Sequence, residues 1–140
     1  SFALEIAGND IEKDYEHGPA EYADLGVSEL VVFDPHATPT SKTRLRWQVF
    51  RLVGKRGLVR VDVSQGDRVK SKVLKAWLRA VDTESGARIR IAEGENGETL
   101  FPTEAEAERR AKEAAEAAKE AAEAEVARLR EVIEQMKRSR

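Results

Sequence analysis

For its first hundred residues the chain alternates short apolar runs with polar breaks, and then its character changes. Phe2-Ala3-Leu4-Glu5-Ile6-Ala7 is an apolar run closed by Gly8-Asn9-Asp10, and Glu29 to Phe33 is a second, closed by Asp34-Pro35. Between them Asp14 to Leu25 has helical character, with Pro19 tolerable only in a first turn and Gly26 as its stop. Tyr22, Ala23 and Leu25 are the candidates for its buried side. Two apolar strands around a helix predict a crossover unit whose strands are covered on both faces. Arg44 to Val53 then alternates, with Leu45, Trp47 and Val49 on one face, and Leu58 to Val63 returns after the turn Gly54-Lys55-Arg56-Gly57, which predicts a hairpin. After a turn at Ser64-Gln65-Gly66-Asp67, short strands follow around Trp77–Val81 and Ala87–Ala92, with Glu95-Asn96-Gly97-Glu98 as the closing turn. The expected fold is mixed α/β (α+β): one mixed sheet with antiparallel C-terminal hairpins, built by residues 1–101 and holding Phe33, Trp47 and Trp77 in its core.

Residues 102–140 follow a different pattern. Thr103 is placed to cap a helix, with Glu106 at the capping-box position, and nothing breaks that helix before Ser139. Eleven alanines between Thr103 and Ala127 are interleaved with Glu, Lys and Arg. Val126, Leu129, Ile133 and Met136 recur at alternating three- and four-residue steps, the spacing of a coiled-coil seam. Ala122, Ala118, Ala115 and Ala111 continue it thinly, across an irregular four-residue step. Two readings stand: a homodimer through this seam, or a single solvated helix held by charge pairs.

Composition removes several classes of chemistry. Zero cysteines exclude a disulfide framework, a thiolate nucleophile and a cysteine zinc site. His17 and His36 are too few for a histidine metal site, and no Gly-x-Ser-x-Gly elbow or phosphate-binding Gly-rich loop is present. No apolar run approaches the ~20 residues that cross a bilayer, so no membrane partner is expected and the cytoplasm is the default setting.

The net charge of -2 conceals a segregation. Residues 1–34 hold nine acids against one base, Lys13, whereas residues 42–79 hold twelve bases against Asp62 and Asp67. The bases alternate with apolar residues in Arg44-Leu45-Arg46-Trp47 and Val69-Lys70-Ser71-Lys72-Val73, which on strands gathers them on one face. Arg44, Arg46, Lys70, Lys72 and Lys75 are therefore the candidates for contact with nucleic-acid phosphates. The competing account is that the acidic and basic segments neutralise one another across the domain.

Glu5 is the residue out of place. A carboxylate on a strand covered on both faces needs a partner, a metal ion or a raised pKa, unless it reaches water or an arginine at the strand end.

The segments Ala3-Leu4-Glu5-Ile6, Lys13-Asp14-Tyr15, Tyr22 to Pro35, Ser71 to Leu78 and Arg88 to Ala92, followed by an Ala/Glu-rich tail, resemble the Uma-two family of endonucleases, in the restriction-endonuclease-like superfamily. The resemblance implies a Mg²⁺-dependent phosphodiesterase site with an Asp and a Glu-x-Lys on adjoining strands. Glu5 falls on its Glu as metal ligand and catalytic residue. Ala7 occupies the place of the motif Lys, and Gly18 the place where many members carry a Lys on the helix. Lys13 is the remaining local candidate for the catalytic cation. The metal-binding Asp belongs to a strand before Glu5. Because the chain opens directly in a strand and its only methionine is Met136, it reads as the C-terminal part of a longer protein, and catalysis by it alone is not expected. The rival reading is a non-catalytic module that binds nucleic acid or an acidic protein and assembles through its helix.

Overall fold

The computed structural model describes residues 1–140, which divide into two compact units, Ser1–Phe101 and Pro102–Arg140. In the first, β1 (Phe2–Ile6) leads through a π-helical turn (Lys13–His17) and a short helix α1 (Gly18–Asp24) to β2 (Glu29–Phe33). Strands β3 (Trp47–Leu52), β4 (Leu58–Ser64), β5 (Arg68–Ser71), β6 (Ala76–Thr83), β7 (Gly86–Glu93) and β8 (Thr99–Leu100) follow. The second unit is one helix, α2 (Glu104–Arg138).

The strands make two sheets of four, in the orders β1-β2-β3-β4 and β5-β6-β7-β8, where the sequence pattern predicted one. The first is mixed: β1 runs parallel to β2 across the helical crossover, with Glu5 opposite Val32, and β2, β3 and β4 are antiparallel. The second is wholly antiparallel. Alternation reports which face of a strand is buried, but not which strand lies beside it. That is why the division into two sheets was not anticipated.

All five residues of β2 are buried, because this strand is covered on both sides. On one side Val31, Phe33, Trp47 and Val49 pack with Val69, Leu78 and Ala80 of the second sheet. The Phe33 and Trp47 rings meet there at 4.5 Å between centroids. On the other side Leu30, Val32 and Phe50 pack with Ala7 and Val27, with Tyr15 and Tyr22 of the helical segment laid against them. Trp77 is only half-buried; its indole N–H donates to the Gly94 carbonyl at 3.2 Å. Gly97 beneath it is required twice over: its φ is +68°, and a Cβ would come 2.5 Å from Trp77 Cγ.

Several boundaries differ from the sequence expectation. The predicted helix over 14–25 is a π turn followed by α1, with Pro19 in the first turn as anticipated. Leu25 is 77% exposed and does not join that helix's inner face, which is carried by the buried Gly18 and Pro19 and the half-buried Tyr22 and Ala23. Arg44 to Arg46 are not strand. The Leu45 N–H donates to the Tyr15 hydroxyl and the Arg46 N–H to Gln65 Oε1, so those donors are taken by side chains rather than by a ladder. Strands β5 and β8, of four and two residues, were not separately anticipated.

α2 begins as expected. Glu106 N–H donates to the Thr103 hydroxyl, Thr103 N–H donates to the Glu106 carboxylate, and Ser139 closes the far end. At 35 residues it spans about 50 Å. None of its residues is buried.

Candidate functional site

Glu5 lies on the face of β1 that Ala3 and Ala7 share, turned toward the helical segment. The chain leaving β1 is folded back by its own acids: Gly8 N–H donates to Asp14 Oδ2 at 2.7 Å and Lys13 N–H to Asp10 Oδ1 at 3.2 Å. Gly18 N–H closes the π turn on the Lys13 carbonyl. This fold-back forms a cleft of about 260 Å³ whose walls include Glu5, Lys13, Asp14, Gly18, Glu21 and Tyr22.

Tyr22 donates its hydroxyl to Glu5 Oε2 at 2.5 Å. That hydrogen bond, then partial burial, then the negative fields of Glu5, Glu21 and Asp14 push the Tyr22 phenol up to about 12. Tyr22 is thus a fixed proton donor that orients one oxygen of Glu5. Glu5 itself is half-buried, neither sealed among apolar side chains nor paired with an arginine.

The donors fit a magnesium ion poorly. No three His, Cys, Asp or Glu side chains are grouped to hold a metal, and Asp14 already accepts from Gly8. Magnesium keeps several waters and can be held through one or two carboxylates, so Glu5 can be one ligand but not a complete site. His17 and His36 are both exposed and stand apart from the cleft lining.

The structure brings Glu5 and Lys13 into one cleft, and it places Gly18 there as well. Ala7, in contrast, is buried among Val27, Leu30 and Val32, where an ammonium would be stranded in apolar surroundings.

It does not gather the five candidate bases on one open face. Arg44 donates to Asp34 Oδ2 at 2.8 Å, and Arg46 lies 5.6 Å from the centroid of the Phe33 ring, so both serve the fold's own contacts. Lys70, Lys72 and Lys75 are exposed on β5 and the turn that follows it, with the Lys70 ammonium 5.8 Å from the Trp77 ring centroid.

Two acids that the sequence left unmarked, Glu29 and Asp34, bracket β2 and are fully buried. Asp34 accepts from the Tyr15 hydroxyl at 2.6 Å, from Arg44 and from His36 N–H. Burial first, and then the bond to Asp34, push the Tyr15 phenol up to about 12. Glu29 accepts from Arg51 Nε at 2.9 Å, from the Ser71 hydroxyl and from the Lys72 and Val73 N–H groups. Burial alone would raise the Glu29 carboxyl, but these four donors outweigh it and hold the group below the usual carboxylate range. The acidic and basic segments therefore do neutralise one another at two points. The available signal was the run Glu-Leu-Val-Val-Phe-Asp itself: a strand covered on both faces needs partners for any acid at its ends, as it does for Glu5.

Compared with protein-family models, with curated proteins and with solved structures, the chain matches none.

Proposed function

We propose that the domain is of metal-dependent endonuclease lineage, with Glu5 as a metal-binding carboxylate and Lys13 as the cation beside it. The observation that carries this reading is the meeting of Glu5 and Lys13 in one cleft from two separate elements, with Gly18 beside them. Its substrate class is nucleic acid, hydrolysed at a phosphodiester. The exposed Lys70, Lys72 and Lys75 would hold phosphates without reading bases. Because no three metal-ligating side chains are grouped at the cleft, hydrolysis needs further oxygen donors, and the chain alone binds metal weakly without cleaving. No helix is long and apolar enough to cross a membrane; a cytoplasmic setting goes with the nuclease reading.

A Mn²⁺ titration of the chain and of Glu5→Gln tests it. Weak binding that Glu5→Gln abolishes supports the assignment, and equal binding by both refutes it.

The second reading is a non-catalytic module that binds nucleic acid or an acidic protein and dimerises through α2. It is favoured by the exposed lysines and by the exposed aliphatic stripe of α2. Salt-sensitive binding of duplex DNA that ignores Mn²⁺ and the Glu5→Gln change would select it.

A further inference from the structure

Two arginines hold down the turn between β7 and β8. Arg68 Nη1 donates to the Asn96 carbonyl at 2.9 Å and to the Gly97 carbonyl at 3.0 Å, while Arg79 Nη1 donates to the Gly97 and Glu98 carbonyls at 3.2 and 3.4 Å. The Trp77 indole holds the Gly94 carbonyl, and Gly97 packs on the same side chain with no room for a Cβ. One part of the turn is left loose. The Asn96 side chain is exposed, and no hydrogen bond engages its amide. The Gly97 N–H has the Gly94 carbonyl as its acceptor, at a long 3.4 Å.

Asparagine followed by glycine is the pair in which a main-chain nitrogen most easily attacks the side chain before it, because glycine puts no Cβ in the way. We propose that Asn96-Gly97 is a self-modification site, at which the Gly97 nitrogen attacks Asn96 Cγ and the asparagine becomes aspartate and isoaspartate. Hydroxide takes the Gly97 N–H proton and the N–Cγ bond forms. The Cγ–Nδ2 bond then breaks, and Nδ2 leaves as ammonia with a proton from water. Water opens the resulting cyclic imide at either carbonyl. No oxidant, metal or second protein takes part.

Arg68 is the activating residue. The nucleophile is the Gly97 nitrogen without its proton, and the negative charge of that amidate is shared with the Asn96 carbonyl oxygen of the same peptide group. A guanidinium 2.9 Å from that oxygen favours the anion, as an adjacent positive charge does for any acid. Asp67 engages Nε and Nη2 of Arg68, each at 2.9 Å, but leaves Nη1 on the turn. The Glu98 carboxylate opposes the effect, yet it accepts from the Asn96 N–H and so sits on the preceding peptide group. The other asparagine, Asn9, has neither advantage: Asp10 follows it, and the guanidinium of Arg44 contacts the Gly8 carbonyl instead.

The isoaspartate product carries the main chain through Cβ and Cγ, which inserts a methylene before Gly97. With Gly97 wedged against Trp77 and its carbonyl gripped by both arginines, the turn has no slack to absorb that methylene in place. It should lift away from Trp77, and the bond from the indole to Gly94 should break.

Incubation of the folded chain in mildly alkaline buffer, followed by peptide mapping and isoaspartate detection, tests the site. Conversion at Asn96 should outpace conversion at Asn9; an intact Asn96, or one that converts no faster than Asn9, would overturn the proposal. In the converted protein the Trp77 indole N–H resonance should move while that of Trp47 stays, and an unmoved Trp77 signal would overturn the release of the turn. Arg68→Gln and Arg79→Gln both loosen the turn, but only the first takes a charge off the Asn96 carbonyl. Slower conversion in Arg68→Gln than in Arg79→Gln supports activation by Arg68, and equal or faster conversion overturns it.

Discussion

Two glutamates on adjacent strands have opposite fates. Glu29, on β2, is fully buried and every approach to its carboxylate is filled by a donor. Glu5, on the edge strand β1, has Tyr22 as its hydrogen-bond donor and faces a cleft. A carboxylate whose lone pairs are all engaged is a joint. One that keeps spare lone pairs in an open cleft that Lys13 also lines can bind something. The difference comes from sheet position: β2 has a strand on each side and cover on both faces, whereas β1 has a neighbour only in β2.

The comparison breaks most visibly at Glu29. Replacing it by Ala leaves the buried Ser71 hydroxyl and two partly buried N–H groups without an acceptor, at a cost of about 3 kcal/mol. Arg51 softens the loss, since its side chain is a third exposed and can turn to water. The melting temperature of the sheet unit should then fall by about 15 °C. The group's lowered pKa fixes the sign with pH: its contribution is present above the ordinary carboxylate value of about 4.3 and is lost as pH falls through and below it. Denaturation measured between neutral pH and about pH 3 should lose stability more steeply for the wild type than for Glu29→Gln.

The two tyrosines sharpen the contrast next. Both are raised to about 12, so neither should ionise in the ordinary range near 10. For a folded-state pKa raised in this way, the stabilisation is intact below about pH 10 and is lost as pH climbs toward 12. An ultraviolet titration with a tyrosinate step near 10 would contradict the geometry of both sites. With Glu5→Ala, the Tyr22 step should move down toward 10 while the Tyr15 step stays at about 12, and stability should change by only about 1 kcal/mol. Smallest of all is Gly18→Ala. Gly18 already has helical φ and ψ, and a Cβ there would rest 3.5 Å from the Lys13 carbonyl oxygen, so the change should stabilise by about 0.5 kcal/mol in a denaturant titration.

The same contrast shows what the sequence could convey. Strand β2, the β3–β4 hairpin, the β6–β7 pair and the capping box at Thr103 are legible, because each carries a local signature in period, turn or cap. The partition into two sheets is not legible, since pairing is a matter of distance in space. Strand β5 escaped notice because four residues beginning with Arg68 give too short an alternation, and the π turn has no sequence signature to find. Glu5 stood out as a charge inside an apolar run. Glu29 and Asp34 stood at the ends of one, where acids ordinarily meet water, and only the covering sheet and helix turned those ends into interior. Tyr22 as the partner of Glu5 was invisible, because the contact joins residues seventeen apart through the path of a fold-back loop.

The Glu29 joint also bears on how the molecule opens. Its carboxylate sits in the first sheet, while the Ser71, Lys72 and Val73 donors belong to the second sheet and the turn leaving it. Val31, Phe33, Trp47 and Val49 share one apolar cluster with Val69, Leu78 and Ala80 across the same boundary. Neither sheet can swing away alone without stranding a buried anion and uncovering that cluster together. The amide hydrogens of β2, β3 and β6 should therefore exchange with solvent as one cooperative unit, at a common rate set by global opening, while those of β1 escape earlier from the rim.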